Sequence, residues 1–366
     1  MRRLVARVFT LCFNQKGDIM NKKLIILSFI FAFSIFNTSC TRVPVIKTIS
    51  TGPNFFLNSV LDIKILDEDI SIDDINKLIS TRVEALENLL TTHNESSEIS
   101  KINQNAGISP VAISEDTFLV IKEGLKYSKL SEGKFDITIG PLVDLWGIGT
   151  EDARLPEDSE IKEALSHIGY DKVLLDEKKN TVFLTEPNMA IDVGAIAKGY
   201  VADEINDILA SYKIKSAIIN LGGNIYARGS KNGEPFKIGL KDPESKNSDY
   251  LGVYKGTDVS IVTSGTYERY FEQNGVRYHH ILSTNTGYPV ENEIAAVTII
   301  SKNSMMADAL STSVFALGIE KGFALIDSLP NVDAIIITNS KKIIMSREAS
   351  RHFELTNDSY EIEYRN

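Results

Sequence analysis

Apolar residues in this chain first form one unbroken block and then settle into two alternating rhythms. The block is a thirteen-residue, mostly apolar run from Leu24 to Phe36, behind the basic start Met20-Asn21-Lys22-Lys23. Asn37-Thr38-Ser39-Cys40 and then polar sequence follow it. A basic n-region, a short h-region and small residues make the plan of a secretory signal, and the run is too short to span a bilayer. Residues 1–19 read as an upstream mis-start, with Met20 the better initiator. Beyond a short polar tether the rhythms begin. "FFLNSVLDIKIL" (Phe55–Leu66) predicts a strand. Ser71 and Asp74 resemble a capping box, ahead of Ile75, Leu78, Ile79, Val83, Leu86 and Leu90 at helical spacing. Helices are also predicted over Thr117–Lys129, Ser159–His167 (after Pro156 and stopped by Gly169), Ser304–Leu317 and Lys321–Leu329. Between them, "AIIN", "IYARG", "FKIGL", "VSIVTSG", "RYHHILS" and "AAVTIIS" are short strand-like runs, and "VDAIIIT" and "KIIMS" close the chain. This mixture predicts α+β or α/β layers in two lobes, without fixing topology.

Composition narrows the class. The 366 residues are enough for one large domain or two ordinary ones. The formal charge of −10 argues against a nucleic-acid surface. The two cysteines, Cys12 and Cys40, both lie near the N-terminus, so the body has neither a disulfide framework nor a cysteine metal site. A cysteine directly after the small-residue stretch resembles a bacterial lipoprotein signal, with Cys40 as the lipidated residue and Asn37 where such signals usually carry leucine. An ordinary cleaved signal and an uncleaved anchor remain the alternatives.

Four segments carry candidate chemistry. In "AIDVGAIAKGYVADEI" (Ala190–Ile205) an apolar lead ends in Asp192, and Gly194, Lys198 and Gly199 stand where a helix begins near Ala195. Glycines permit close backbone approach, and the free N–H groups of a helix start suit a phosphate. The plain alternative is a strand–turn–helix junction with a surface lysine. In "SMMADALSTSVFALG" (Ser304–Gly318), Met306, Leu310, Val314 and Leu317 form an apolar stripe, while Asp308 and Thr312 are one turn apart on another face. An acid and a hydroxyl so placed are two hard oxygen ligands for Mg²⁺; the alternative is a solvated polar face. "TSGTYERYFEQNGVRYHHILSTNTGYP" (Thr263–Pro289) has the hairpin signal Asn274-Gly275, then His279 and His280, which a strand sends to opposite faces. One can act as a general base while the other is structural. "GKFDITIGPLVDLWGIG" (Gly133–Gly149) alternates Phe135, Ile137 and Ile139 with Asp136 and Thr138 and holds Trp146, which flanks an aromatic ligand or simply fills core.

Together these segments resemble the FAD:protein FMN transferases, also called ApbE or flavin transferase lipoproteins. The likeness runs over residues 55–345 and rests on seven blocks in family order. They are "SSEISKIN", "FDITIGPLVDLWGIG", "IDVGAIAKGYVAD", "INLGGNIYARG", "TSGTYERYF", "YHHIL…TGYPV" and "ADALSTSVFALG". The resemblance implies a two-lobed, T-fold-like α/β domain with mixed sheets flanked by helices and an FAD groove between the lobes. It implies transfer of FMN from FAD to a threonine of an acceptor flavoprotein, such as a subunit of an Rnf-type or sodium-pumping quinone reductase, with release of AMP and dependence on Mg²⁺. It places the metal on Asp308, Thr312 and the backbone carbonyl of Ala195. Flavin contacts fall on Leu57, His93, Lys134, Phe135, Asp136, Asp192, Lys198, His280 and Leu282, with His280 and Asp308 catalytic. It also implies a lipid-anchored protein of the bacterial cell envelope, outside the cytoplasm. The expected division is a signal region 1–40, a tether 41–53, the transferase domain 54–350 and a tail 351–366. Two dipeptides depart from the family pattern: Ser283-Thr284 replace Asp-Pro, and Asn58-Ser59 replace Gly-Thr. A Mg²⁺-dependent FAD pyrophosphatase and a non-catalytic flavin-binding lipoprotein are the rival readings.

Overall fold

The computed structural model describes residues 46–50, 59–67, 71–245, 247 and 249–365. The signal region with Met20 and Cys40, most of the tether, and Leu57 lie outside the described residues. In chain order the strands are β1 (Lys47–Ser50), β2 (Leu61–Ile65), β3 (Val111–Ala112), β4 (Val173–Asp176), β5 (Thr181–Leu184), β6 (Ala217–Leu221), β7 (Asn224–Arg228), β8 (Phe236–Lys241), β9 (Tyr250–Gly256), β10 (Val259–Gly265), β11 (Tyr270–Gln273), β12 (Val276–His279), β13 (Ile294–Ser301), β14 (Val332–Thr338), β15 (Lys342–Met345), β16 (Phe353–Leu355) and β17 (Glu361–Tyr364). The helices are α1 (Asp73–Leu90), α2 (Glu98–Gln104), α3 (Glu115–Leu130), α4 (Gly140–Trp146), α5 (Asp158–Ser166), α6 (Ala197–Ser211), α7 (Ser304–Leu317), α8 (Ile319–Asp327) and α9 (Arg347–His352).

Nine strands form one sheet in the order β1-β2-β6-β7-β10-β13-β14-β15-β17, antiparallel except for the parallel β15–β17 edge. Strand alternation gives this sheet two apolar faces. In β13, Val297 and Ile299 join one core and Ala296 and Ile300 the other; in β14, Ala334 and Ile336 divide from Ile335 and Ile337 in the same way. The first core lies under the helices, with α1, α3, α6 and α7 contributing fully buried residues such as Ile79, Val120, Val201 and Leu310. The second lies under the small sheet β16-β9-β8. A third, satellite core gathers Leu142, Trp146, Ile161, Ala164 and Leu282, with Phe271, Tyr278 and Tyr288 packed on it. The two expected lobes are thus joined: residues 45–366 form one compact unit built on a shared sheet.

Several boundaries differ from the sequence expectation. Lys47–Ser50, expected in the tether, pairs with β2. Residues 351–366, expected as a tail, supply β16 beside β9 and β17 beside β15. The hydroxyl of Tyr360 and the amide of Asn357 donate to Asp242 at 2.5 and 3.0 Å, fixing that segment to the end of β8. Both segments are short, and each pairs with a strand elsewhere in the chain. The expected capping box at Ser71 is absent, because Ile72 is the N-cap and Asp73 and Asp74 face the helix dipole without a side-chain cap. The box forms instead at α5, between Glu157 and Glu160.

Candidate active site

The cavity of about 1310 Å³ lies where the first apolar core gives way to the ends of α6, α7, β10 and the β11–β12 hairpin. The segment entering α6 forms one wall. Asp192 N–H donates to Ile137 O at 2.8 Å, and Asp192 Oδ1 accepts from Gly194 N–H at 2.8 Å. This Asx turn steers the chain into α6, which begins at Ala197, two residues beyond the expected start. Lys198 turns back to donate from Nζ to Gly194 O at 3.0 Å and faces the cavity, as does Ala195. Gly199 does not approach a ligand. A methyl group there would lie 2.3 Å from Ser304 O and 2.6 Å from Met305 Cα, so the missing side chain is what allows α6 and α7 to touch.

That contact explains Asp308. It is 4% exposed, on a helix enclosed nearly all round, so the solvated-face reading of α7 does not hold. An unpaired buried carboxylate would be costly. Asp308 Oδ2 accepts the Gly199 N–H at 2.9 Å, at the positive end of α6. Burial pushes its carboxyl above the usual range, while Lys198, this amide and Arg269 pull it back. Its other oxygen has no hydrogen-bond partner among the described residues. One turn on, Thr312 Oγ1 lies 3.3 Å from Ser264 Oγ, which also meets Ser311 Oγ at 2.7 Å. Asp308, Thr312 and Ala195 all line the cavity and offer only hard oxygen donors. Among the described residues no group of three His, Cys, Asp or Glu side chains is placed to hold a metal, which leaves that oxygen set.

The opposite wall is the hairpin. Asn274 and Gly275 both have positive φ, 54° and 79°, as the expected two-residue turn requires. The strands end with Arg269 and His280 beside the cavity. His279 is buried, with Nε2 3.1 Å from Val290 O and its ring edge-on to Phe315 at 5.8 Å. His280 faces the cavity with Nδ1 3.2 Å from Arg269 O. A carbonyl can only accept, so this contact places the proton on Nδ1 and leaves the Nε2 lone pair free. Burial and the neighbouring Arg269 and Lys198 hold the His280 pKa well below the ordinary value.

The remaining expected residues also meet here. His93, Lys134, Phe135, Asp136 and Leu282 line the cavity with Asp192 and Lys198. Asp136 is occupied structurally, however: Oδ1 accepts from the N–H and hydroxyl of Thr138 at 2.8 and 2.7 Å, and Oδ2 from Tyr170 N–H at 2.9 Å. Trp146 is core. Its Nε1 donates to Gly287 O at 2.8 Å, and its ring lies 5.6 Å from Tyr278. At the departure from the family pattern, Ser283 Oγ accepts from Asn285 and Thr286 N–H at 3.3 Å, and Thr284 Oγ1 donates to Gly133 O at 2.7 Å. The replacement loop is therefore tied to the Lys134 segment.

Sequence reasoning assigned no role to Glu268, Arg269, Asp144 or Asn224, all of which line the cavity. The available signal for the first two was a charged pair directly after the small residues that end β10. Asp144 had only its acidic character within an apolar helix, where burial and Asp192 raise its carboxyl. Asn224 Nδ2 is buried without a partner among the described residues, a feature invisible in sequence.

This geometry coincides with clear relationships. A model of the ApbE family matches residues 57–336. The FAD:protein FMN transferase of Klebsiella pneumoniae strain 342 is 39% identical over 280 residues, 76% of this chain and 87% of the relative. That of Treponema pallidum strain Nichols is 36% identical over 279 residues, 72% of this chain and 77% of the relative. The crystal structure of the ApbE protein from Thermotoga maritima superposes with a TM-score of 0.76 at 32% identity, covering 84% of this chain and 99% of that one. The Vibrio cholerae flavin transferase ApbE gives 0.75 at 28% identity, covering 84% and 100%. With its helix pair, hairpin and cavity assembled from the family's blocks, this chain belongs to the ApbE family.

Proposed function

We propose that the chain moves FMN from FAD to a threonine hydroxyl of an acceptor protein and releases AMP. The observation that carries this is one cavity faced by both a buried carboxylate, Asp308, and an imidazole with a free Nε2, His280. The cavity is also larger than a typical drug-sized pocket, in keeping with a dinucleotide. Phosphoryl transfer depends on positioning and charge neutralisation more than on covalent help. The acceptor Oγ attacks the phosphorus on the FMN side of the pyrophosphate, its proton passes to His280 Nε2, and the bond to AMP breaks. Lys198 and Arg269, one on each wall beside Asp308 and His280, are the cavity cations nearest these two groups and the ones that would face the diphosphate. Asp308, Thr312 and the Ala195 carbonyl are the residues that would hold Mg²⁺, which when bound neutralises phosphate charge and stabilises the leaving group. The signal pattern ending at Cys40 supports a lipid-anchored enzyme of the cell envelope, with a membrane redox subunit of the Rnf or sodium-pumping quinone reductase class as acceptor.

The test incubates the chain lacking residues 1–42 with FAD, Mg²⁺ and such a subunit, following in-gel flavin fluorescence and AMP together. Labelled acceptor with matching AMP is the expected result. AMP without label would assign a pyrophosphatase, and FAD binding without AMP a carrier.

A further inference from the structure

The two helices behind the Asp308 wall hold each other by exchanged caps. α6 gives the Gly199 N–H to Asp308 Oδ2 at 2.9 Å. In return, Asp203 on α6 accepts from the first two residues of α7: Ser304 N–H to Oδ1 at 2.8 Å and Met305 N–H to Oδ2 at 2.9 Å. Asn303 Nδ2 adds a third donor, to Oδ2 at 3.0 Å. Asp203 stands four residues after Gly199, and Asp308 four residues after Ser304. Each helix therefore presents an N-terminal amide and, one turn later, a carboxylate, and the pairing runs in opposite directions along the two. Amides left over at each helix start are satisfied by the other helix, with negative charge at both positive dipole ends.

α7 does not need Asp203 in order to start. Its own N-cap, Asn303, accepts the Met306 N–H at 2.6 Å. The contacts of Asp203 instead join the start of α7 to a second helix, one turn from Asp308. Asp203 is absent from the cavity lining. We propose that Asp203 is a positioning residue for the transfer: by pinning the start of α7 to α6 it sets where Asp308 and Thr312 stand in the cavity wall. This rests on the flavin-transfer reading above. The position is not simply stabilising. Burial pushes the Asp203 carboxyl up to about 6 despite its amide donors, so its charge at neutral pH opposes folding. Asp203→Asn removes the charge and keeps the shape, but only one of its two heads accepts: its NH2 faces an amide that the carboxylate accepted, so the pin between the helices is weakened rather than removed.

The experiment compares the full-length wild type with Asp203→Ala and Asp203→Asn. Mn²⁺ binding with FAD present is read by electron paramagnetic resonance, and FAD affinity by flavin fluorescence. Amide exchange at Ser304 and Met305 and the Mg²⁺ dependence of transfer complete the set. For Asp203→Ala, faster exchange at these two amides is expected, with Mn²⁺ affinity about tenfold weaker, FAD affinity within twofold, and transfer largely restored by excess Mg²⁺. Asp203→Asn, which keeps one acceptor oxygen, should weaken Mn²⁺ two- to fivefold, less than Asp203→Ala. Unaltered Mn²⁺ affinity in a folded Asp203→Ala, or equal weakening of Mn²⁺ and FAD, overturns the proposal. If Asp203→Ala does not fold, unaltered Mn²⁺ affinity in Asp203→Asn overturns it. Absence of transfer by the wild type would sink the flavin-transfer reading instead, while the Mn²⁺ and exchange measurements still decide the part played by Asp203.

Discussion

Asp308 reaches the cavity from a helix enclosed on nearly every side, whereas His280 reaches it from the foot of a two-stranded hairpin. Around Asp308 the polar groups are buried and bonded to each other: Ser264 to Ser311, Ser304 to Asn224 at 2.7 Å, and Gly199 to Asp308. Among the described residues the hairpin pairs with no other strand; it exposes Tyr270 and Val276 and sits over the small satellite core around Trp146. A charge that must stay ionised in a buried place needs a fixed frame of bonded groups around it, with its remaining oxygen left for a ligand. A proton acceptor facing an incoming protein needs access, and a peripheral element supplies it. The rigid wall suits the ligand and the open wall suits the acceptor.

The sharpest way to break this comparison is Asp308→Ala. It should lower transfer by roughly 10³-fold, the several kcal/mol expected of lost charge stabilisation. FAD binding, followed by flavin fluorescence, should change only a few-fold, because the cavity walls persist. Turnover near wild type at low Mg²⁺ would remove Asp308 from the chemistry.

His280→Ala comes next, at about 10²-fold, the lower part of the range for a general base. Neutral imidazole is the active form, so the wild-type rate should fall as pH drops through its pKa. That pKa is depressed, and the acid limb should therefore lie below the ordinary histidine value of about 6.5 and vanish in the variant. A limb at or above that value would contradict the desolvated setting.

Gly199→Ala tests the frame itself. The added methyl would stand 2.3 Å from Ser304 O, and such overpacking costs about 1–3 kcal/mol. A lower melting temperature and a raised Mg²⁺ requirement should appear together; stability equal to wild type would mean that the helix contact is loose.

The smallest effect is expected from His279→Ala. Losing the contacts to Val290 O and Phe315 should cost about 1–2 kcal/mol in urea unfolding, with transfer within about threefold of wild type. Loss of transfer with stability preserved would exchange the roles of the two histidines.

Much of this was legible along the chain, for local reasons. The span of α7 follows from its spacing, the hairpin turn from Asn274-Gly275, and the divergence of His279 and His280 from strand alternation. The expected site residues within the described chain, most of them inside the family blocks, all line one cavity. Tertiary structure decided the rest. Sheet order, the pairing of Lys47–Ser50 and of the last strand, and the tie from Tyr360 to Asp242 join segments far apart in sequence, and no local rhythm encodes a distant partner. The same holds for Gly199, which reads as a ligand-approach glycine until α7 lies against it, and for Asp136, whose oxygens are spent on Thr138 and Tyr170. Residue type and spacing determined which groups this protein could use; only packing decided which are buried, which are already bonded, and which remain free to act.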